Sequence, residues 1–200
     1  MGPPQTVATH IEPNAQIGWG RSLFCAGGIA TYKGVTMKFY SMTYGEIDLE
    51  EIPSKLLLFY NERKPYGTPF NLIIGTDSQN RHDTKVVTVI AIVCEGHGGI
   101  FFYKKKYLPL IESVREKLHV ETGQSLLIAT QLLDELARPQ YKYFMDEVPM
   151  TIHIDAGNSP RGKTANLIDG LVGWVHATGL KCEVKPDSFV ASSVADRLSK

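Results

Sequence analysis

The chain has 200 residues, 43% of them apolar, with 21 basic and 21 acidic side chains that cancel to a formal net charge of zero. That length is enough for one domain with a sizeable core. Zero net charge excludes a generally basic nucleic-acid-coating or membrane-surface protein, so any basic surface has to be local, and no run of residues reads as a membrane-spanning helix.

Residues 1–17 are polar, with Pro3, Pro4 and Pro13, and are expected to be loosely ordered; they show neither the basic start nor the apolar core of a signal peptide. Residues 18–66 read as a small N-terminal β-α extension. In it, Ile29–Thr31 and Val35–Tyr40 flank Lys33-Gly34 as a predicted hairpin. Asp48 is placed to cap a helix through Leu56, Leu57, Leu58 and Phe59, with Glu51 completing a capping box.

Residues 67–200 read as the main domain. Apolar runs predict strands at Phe70–Thr76, Lys85–Cys94 and Gly99–Tyr107, joined by short polar links as an antiparallel meander. Helical periodicity extends from Pro109 to Ala137, with Leu118, Ser125, Ala129, Leu132 and Leu136 on one face and Gly123 as a point of bending. A fourth strand at Met150–Asp155, a helix from Gly162 to Thr178, a fifth strand at Lys181–Lys185 and a short helix at Ala191–Ser199 complete the pattern. The order is βββαβαβα, an α/β domain whose later strands return parallel to the first. Cys25, Cys94 and Cys182 are odd in number and far apart, which predicts reduced thiols in a cytoplasmic protein, not a disulfide or zinc framework.

Two stretches share one design. In Asn71–Gln79 and again in Met150–Gly157 an apolar strand ends in a carboxylate, Asp77 and Asp155. An Asp at the lip of a buried strand commonly closes a turn. Two of them at the same end of adjacent parallel strands repel, and a cation relieves the repulsion. Hard oxygen donors suit Mg²⁺ or Mn²⁺.

The motifs Ile74-Gly75-Thr76-Asp77-Ser78-Gln79, Ile154-Asp155-Ala156-Gly157 and Lys185-Pro186-Asp187-Ser188, the Gly-His-Gly-Gly turn before Phe101-Phe102-Tyr103, and Val194-Ala195-Asp196-Arg197-Leu198 resemble the YkuK-type branch of the ribonuclease H-like superfamily, whose members are predicted nucleases. The resemblance covers about Met42 to the C-terminus. It implies a ribonuclease H-like mixed sheet with helices on both faces, and a carboxylate cluster that uses two divalent ions to cut RNA, DNA or a hybrid. Carried over residue by residue, Asp77 is the first-strand ligand, Asp155 the fourth-strand ligand and Asp196 the C-terminal one, with Asp187 as competitor. Glu121 is the choice for the helix carboxylate, ahead of Glu112 and Glu116. Ser78, Gln79, His153 and Lys163 are the expected substrate contacts.

Other readings compete. Gly157–Thr164 matches the G-x-x-x-x-G-K-[ST] phosphate loop between a strand and a helix. Pro160 removes a backbone donor from that cradle, and about one strand follows instead of several. A polar loop at a helix N-terminus, with Lys163 near a nucleic-acid phosphate, is the preferred reading, and a nucleotide-binding protein is the alternative. His153 and His97 read first as packed or solvent-facing imidazoles. Lys104-Lys105-Lys106 reads first as a solvated strand edge and second as a track for a phosphodiester backbone. A catalytically inactive nucleic-acid-binding or scaffolding protein on the same fold is the non-enzymatic alternative.

Overall fold

The structure, a computed structural model, describes residues 37–157, 165–188 and 193–194. All of them belong to the compact unit Thr36–Lys200. The predicted hairpin around Lys33-Gly34, the Gly157–Thr164 loop beyond its first residue, and most of the last predicted helix lie outside the described residues.

The unit is built on one seven-stranded sheet. Its strands are β1 (Lys38–Ser41), β2 (Gly45–Asp48), β3 (Phe70–Asn80), β4 (Thr84–Cys94), β5 (Gly98–Leu108), β6 (Met150–Gly157) and β7 (Lys181–Lys185), in the order β2-β1-β5-β4-β3-β6-β7. The meander β3-β4-β5 is antiparallel over eleven residue pairs at each junction, whereas β6 joins β3 and β7 joins β6 in parallel. Helices α1 (Ile52–Arg63), α2 (Val114–Leu136), α3 (Lys142–Glu147) and α4 (Ala165–His176) supply the crossovers and covering elements. None of the described helices is long and apolar enough to cross a membrane.

Strand alternation divides the sheet's two faces. Leu72, Ile74, Ile90, Ile92, Phe102, Ile152 and Ile154 join Leu56, Leu118, Leu132 and Ile168 from α1, α2 and α4 in the main core. The other face carries a smaller cluster, Val87, Val89 and Ala91, packed with Phe101, Tyr103 and Val194. All five predicted one-face positions on α2 are buried. The helix starts five residues later than Pro109 because Ser113 caps it, accepting from the Glu116 N–H at 3.4 Å. The intervening loop is tied to the end of the meander: Ile111 donates to Thr84 Oγ1 at 2.8 Å and its carbonyl accepts from Asn80 at 2.7 Å.

The hairpin that the structure describes is β1–β2, with Phe39 and Ile47 buried and Gly45 at φ 72°, a backbone region open to glycine at little cost. It pairs with β5 through Tyr40 and Tyr103, so this part of the extension continues the main sheet. Helix α2 is continuous through Gly123, which lets the Trp174 ring of α4 come close; a Cβ there would stand 3.2 Å from it. Gly99 meets a harder limit, since a Cβ would stand 2.6 Å from the Ile92 carbonyl oxygen. Gly99→Ala should therefore destabilise the meander by about 2 kcal/mol, read as a lower midpoint in urea with unchanged slope.

Candidate active site

The site forms where the pairing of β3 with β6 ends; β3 itself runs past the predicted stop at Thr76 to Asn80, with Asp77 still paired to Val87 of β4. Their parallel pairing runs from Leu72–Met150 to Thr76–Ile154, which makes Asp77 and Asp155 the next residue of each strand at the same rim. On β6 the register shifts between Ile154 and Gly157, an irregularity that redirects the strand at Asp155 and Ala156. Asp77 accepts from the Ser78 N–H at 2.8 Å.

Helix α2 brings the third carboxylate. Its buried face carries Glu121 one turn before Ser125, and Ser125 meets Thr76 at 2.8 Å. Glu121 is only 7% exposed and accepts a 2.5 Å hydrogen bond from the Ser78 hydroxyl. Lys117, one turn earlier, donates to the Ser78 carbonyl at 3.1 Å. Burial pushes the Glu121 carboxyl up to about 7; the charges of Asp77 and Asp155 push the same way, and the Ser78 bond and Lys117 oppose them. Glu121 thus senses both strand carboxylates electrostatically. Glu116, in the first turn of α2, and Glu112, in the loop before it, are both exposed.

Asp155 is held by a lysine: the Lys185 ammonium lies against its Oδ1. Sequence reasoning missed Lys185, although strand alternation places it on the same face of β7 as Glu183. It also missed Lys117, whose spacing of four from Glu121 on a helix was a usable signal. Lys85 on β4 belongs to this neighbourhood as well. Burial lowers its pKa, as do the charges of Lys105 and Arg81, while Asp77 raises it.

His153 is a packed imidazole, 4% exposed, with Nε2 3.0 Å from Glu183 Oε2. Burial lowers its pKa against the pull of Glu183, and Nδ1 is buried without a hydrogen-bond partner. His97 sits at the β4–β5 turn, the opposite end of β3 from Asp77, stacked on Tyr66 at 4.0 Å between ring centroids. Gln79 pairs across the sheet with Lys85. Asp187 is exposed in the turn after β7, with its N–H donating to the Val184 carbonyl at 3.0 Å. Lys163 and Asp196 lie outside the described residues. Among the described residues no three His, Cys, Asp or Glu side chains are gathered into a group that could hold a metal ion.

A meandering three-strand start, a parallel return beside the first strand and acidic strand ends at one rim define a protein of the ribonuclease H type. The family model for ribonuclease H-like proteins matches residues 55–200. A relative, "Uncharacterized protein YkuK" of Bacillus subtilis (strain 168), is 30% identical over 171 residues, covering 81% of this chain and 96% of that protein. No solved structure matches. The chain belongs to the ribonuclease H-like family, in its YkuK-type branch.

Proposed function

We propose that the protein is a metal-dependent nuclease that hydrolyses phosphodiester bonds of RNA, DNA or a hybrid by a two-metal mechanism. The observation that carries this reading is the shared rim: Asp77 and Asp155 on adjacent parallel strands, with Glu121 tied in through Ser78. All three offer hard oxygen donors, and Glu121 has a raised pKa that a nearby cation would lower, so the donor chemistry fits Mg²⁺ or Mn²⁺. Asp77, Asp155 and Glu121 would hold the ions, with Asp196 (or Asp187) as the further ligand expected from sequence. When bound, the ions supply Lewis-acid polarisation of the phosphate and activation of water. Ser78 orients Glu121, Lys117 fixes Ser78 through its carbonyl, and Lys185 balances Asp155 until a cation displaces it. Gln79 and Lys163 would contact the substrate, and His153, packed against Glu183, would act through that carboxylate. The cytoplasmic setting is part of this proposal, supported by free thiols at Cys94 and Cys182.

The direct test is a panel of labelled single-stranded RNA and DNA, duplex and hybrid substrates with Mn²⁺, with Asp155→Asn as control. Cleavage that survives the control would come from elsewhere and sink the proposal.

A second reading, a nucleic-acid-binding or scaffolding protein that has lost hydrolysis, is favoured by the Lys185–Asp155 ion pair occupying the rim. Lys185→Gln separates the two. A nuclease should then bind Mn²⁺ several-fold more tightly, because the ion no longer competes with an ammonium, read by calorimetric titration. An inactive scaffold should show no Mn²⁺ binding in either form.

A further inference from the structure

The face of the sheet away from α2 carries a row that the site does not use. Alternation along β5 puts Phe101, Tyr103, Lys105 and Tyr107 on that face, because their cross-strand partners Ala91, Val89 and Val87 form the smaller cluster there. The Lys104–Lys106 run is thereby split: only Lys105 joins this row, beside Val87 and, one strand further, Asp77. Tyr107 lies beside Lys85 in the same way. From β1, Tyr40 reaches the row at 5.6 Å from the Tyr103 ring centroid, and the Lys105 ammonium lies 5.3 Å from that same ring. Tyr40 and Tyr107 are 46% and 61% exposed, and Lys105 is exposed. Two acids on β1–β2, Glu46 and Asp48, face this way and share Lys38 at 2.7 and 3.5 Å.

Three features point to one occupant. Side chains on one face of a strand repeat about every 6.8 Å, close to the spacing of nucleotides in an extended single strand. Exposed tyrosine rings offer stacking surfaces to unpaired bases, which a duplex would keep hidden between its own neighbours. Lys105 and Lys85 add the positive charge that a phosphodiester backbone needs, Lys105 about two strand spacings (~10 Å) from Asp77 and Lys85 on the adjacent strand. We propose that the β5 face carrying Tyr40, Tyr103, Lys105 and Tyr107 is a track for single-stranded nucleic acid leading to the Asp77–Asp155 rim. This rests on the nuclease reading for what happens at the end of the track, but not for binding itself.

The test is fluorescence anisotropy of the full chain with a labelled 20-nucleotide oligouridine in EDTA, over a salt series, beside the same sequence in a duplex. The single strand should bind more tightly than the duplex. Tyr107→Ala should weaken binding by about 5- to 100-fold and Tyr107→Phe should restore it. Lys105→Gln should reduce the salt slope by about one. Tyr107 is exposed, so these variants should melt with the wild type. Absence of oligouridine binding, duplex preference, or equal affinity in the Tyr107→Ala and Lys105→Gln variants would each overturn the track. Oligouridine binding with this sensitivity but no cleavage in Mn²⁺ supports the track and removes the nuclease reading alone. Mn²⁺-dependent cleavage of single strands indifferent to Tyr107→Ala and Lys105→Gln leaves the nuclease and removes the track.

Discussion

Asp77→Asn should abolish both the proposed Mn²⁺-dependent cleavage and the rise in melting temperature expected of the wild type with Mn²⁺. The substitution is nearly isosteric, and Asn Oδ1 still accepts the Ser78 N–H that Asp77 Oδ1 accepts at 2.8 Å. The local turn should therefore survive, and what disappears is a unit of negative charge at the rim. Losing several kcal/mol of ligand and transition-state electrostatics corresponds to about 100-fold or more in rate. Without metal the variant should be as stable as the wild type or more so, because Asp77 is one of the charges pushing Glu121 toward its neutral form. Thermal melts with and without Mn²⁺, paired with cleavage assays, read both effects. If Asp77→Asn kept the Mn²⁺ shift, the ion would be binding elsewhere.

Glu121→Gln should make the protein more stable at pH 8 while leaving it nearly unchanged at pH 5. The Glu121 carboxyl titrates near 7 in the folded chain against an ordinary 4.5. Between those values the folded state holds a proton that the unfolded state has released. Stability therefore falls as pH rises from about 4.5 to about 7, and is level above that. The loss is on the order of 3 kcal/mol for a group this well buried. Glutamine carries no charge to desolvate, and its carbonyl can still accept from Ser78. At pH 8 the variant should melt higher by roughly 5–10 °C, and parallel stability curves from pH 5 to 8 would refute the assignment. The same titration gives the metal reading a signature. Protons and divalent ions compete for Glu121, so wild-type Mn²⁺ affinity should rise from pH 6 to 8, and the rise should vanish in Glu121→Gln.

Local patterns carried much of this architecture. Apolar runs mark β3, β4 and β5, and the short polar links between them imply a meander. The period of α2 runs through Leu118, Ser125, Ala129, Leu132 and Leu136, and Glu121 stood out because it borders that apolar stripe. Other parts were illegible for physical reasons. Strand β2 is four residues long, too short for periodicity to register, and α3 is a six-residue helix whose place depends on Tyr60 of α1 reaching Glu147 at 2.8 Å across the fold. The Lys104–Lys106 run looked like one basic patch, but a strand sends neighbours to opposite faces, and only pairing with β4 and β1 shows which face each lysine takes.

By itself, the chain's sequence determined that three strands precede a long amphipathic helix, and that two later strands return beside them with an aspartate toward the end of β3 and of β6. Those features rest on short-range periodicity, turn chemistry and chain connectivity, which neighbouring residues specify among themselves. Only the tertiary structure decided that Lys185 pairs with Asp155, that Ser78 bridges to Glu121, that His153 turns to Glu183, and that Lys105 shares a face with Tyr103 and Tyr107. Charges and hydrogen-bond donors choose partners by separation in space over a few ångströms, and that separation is set by register and packing between segments far apart along the chain.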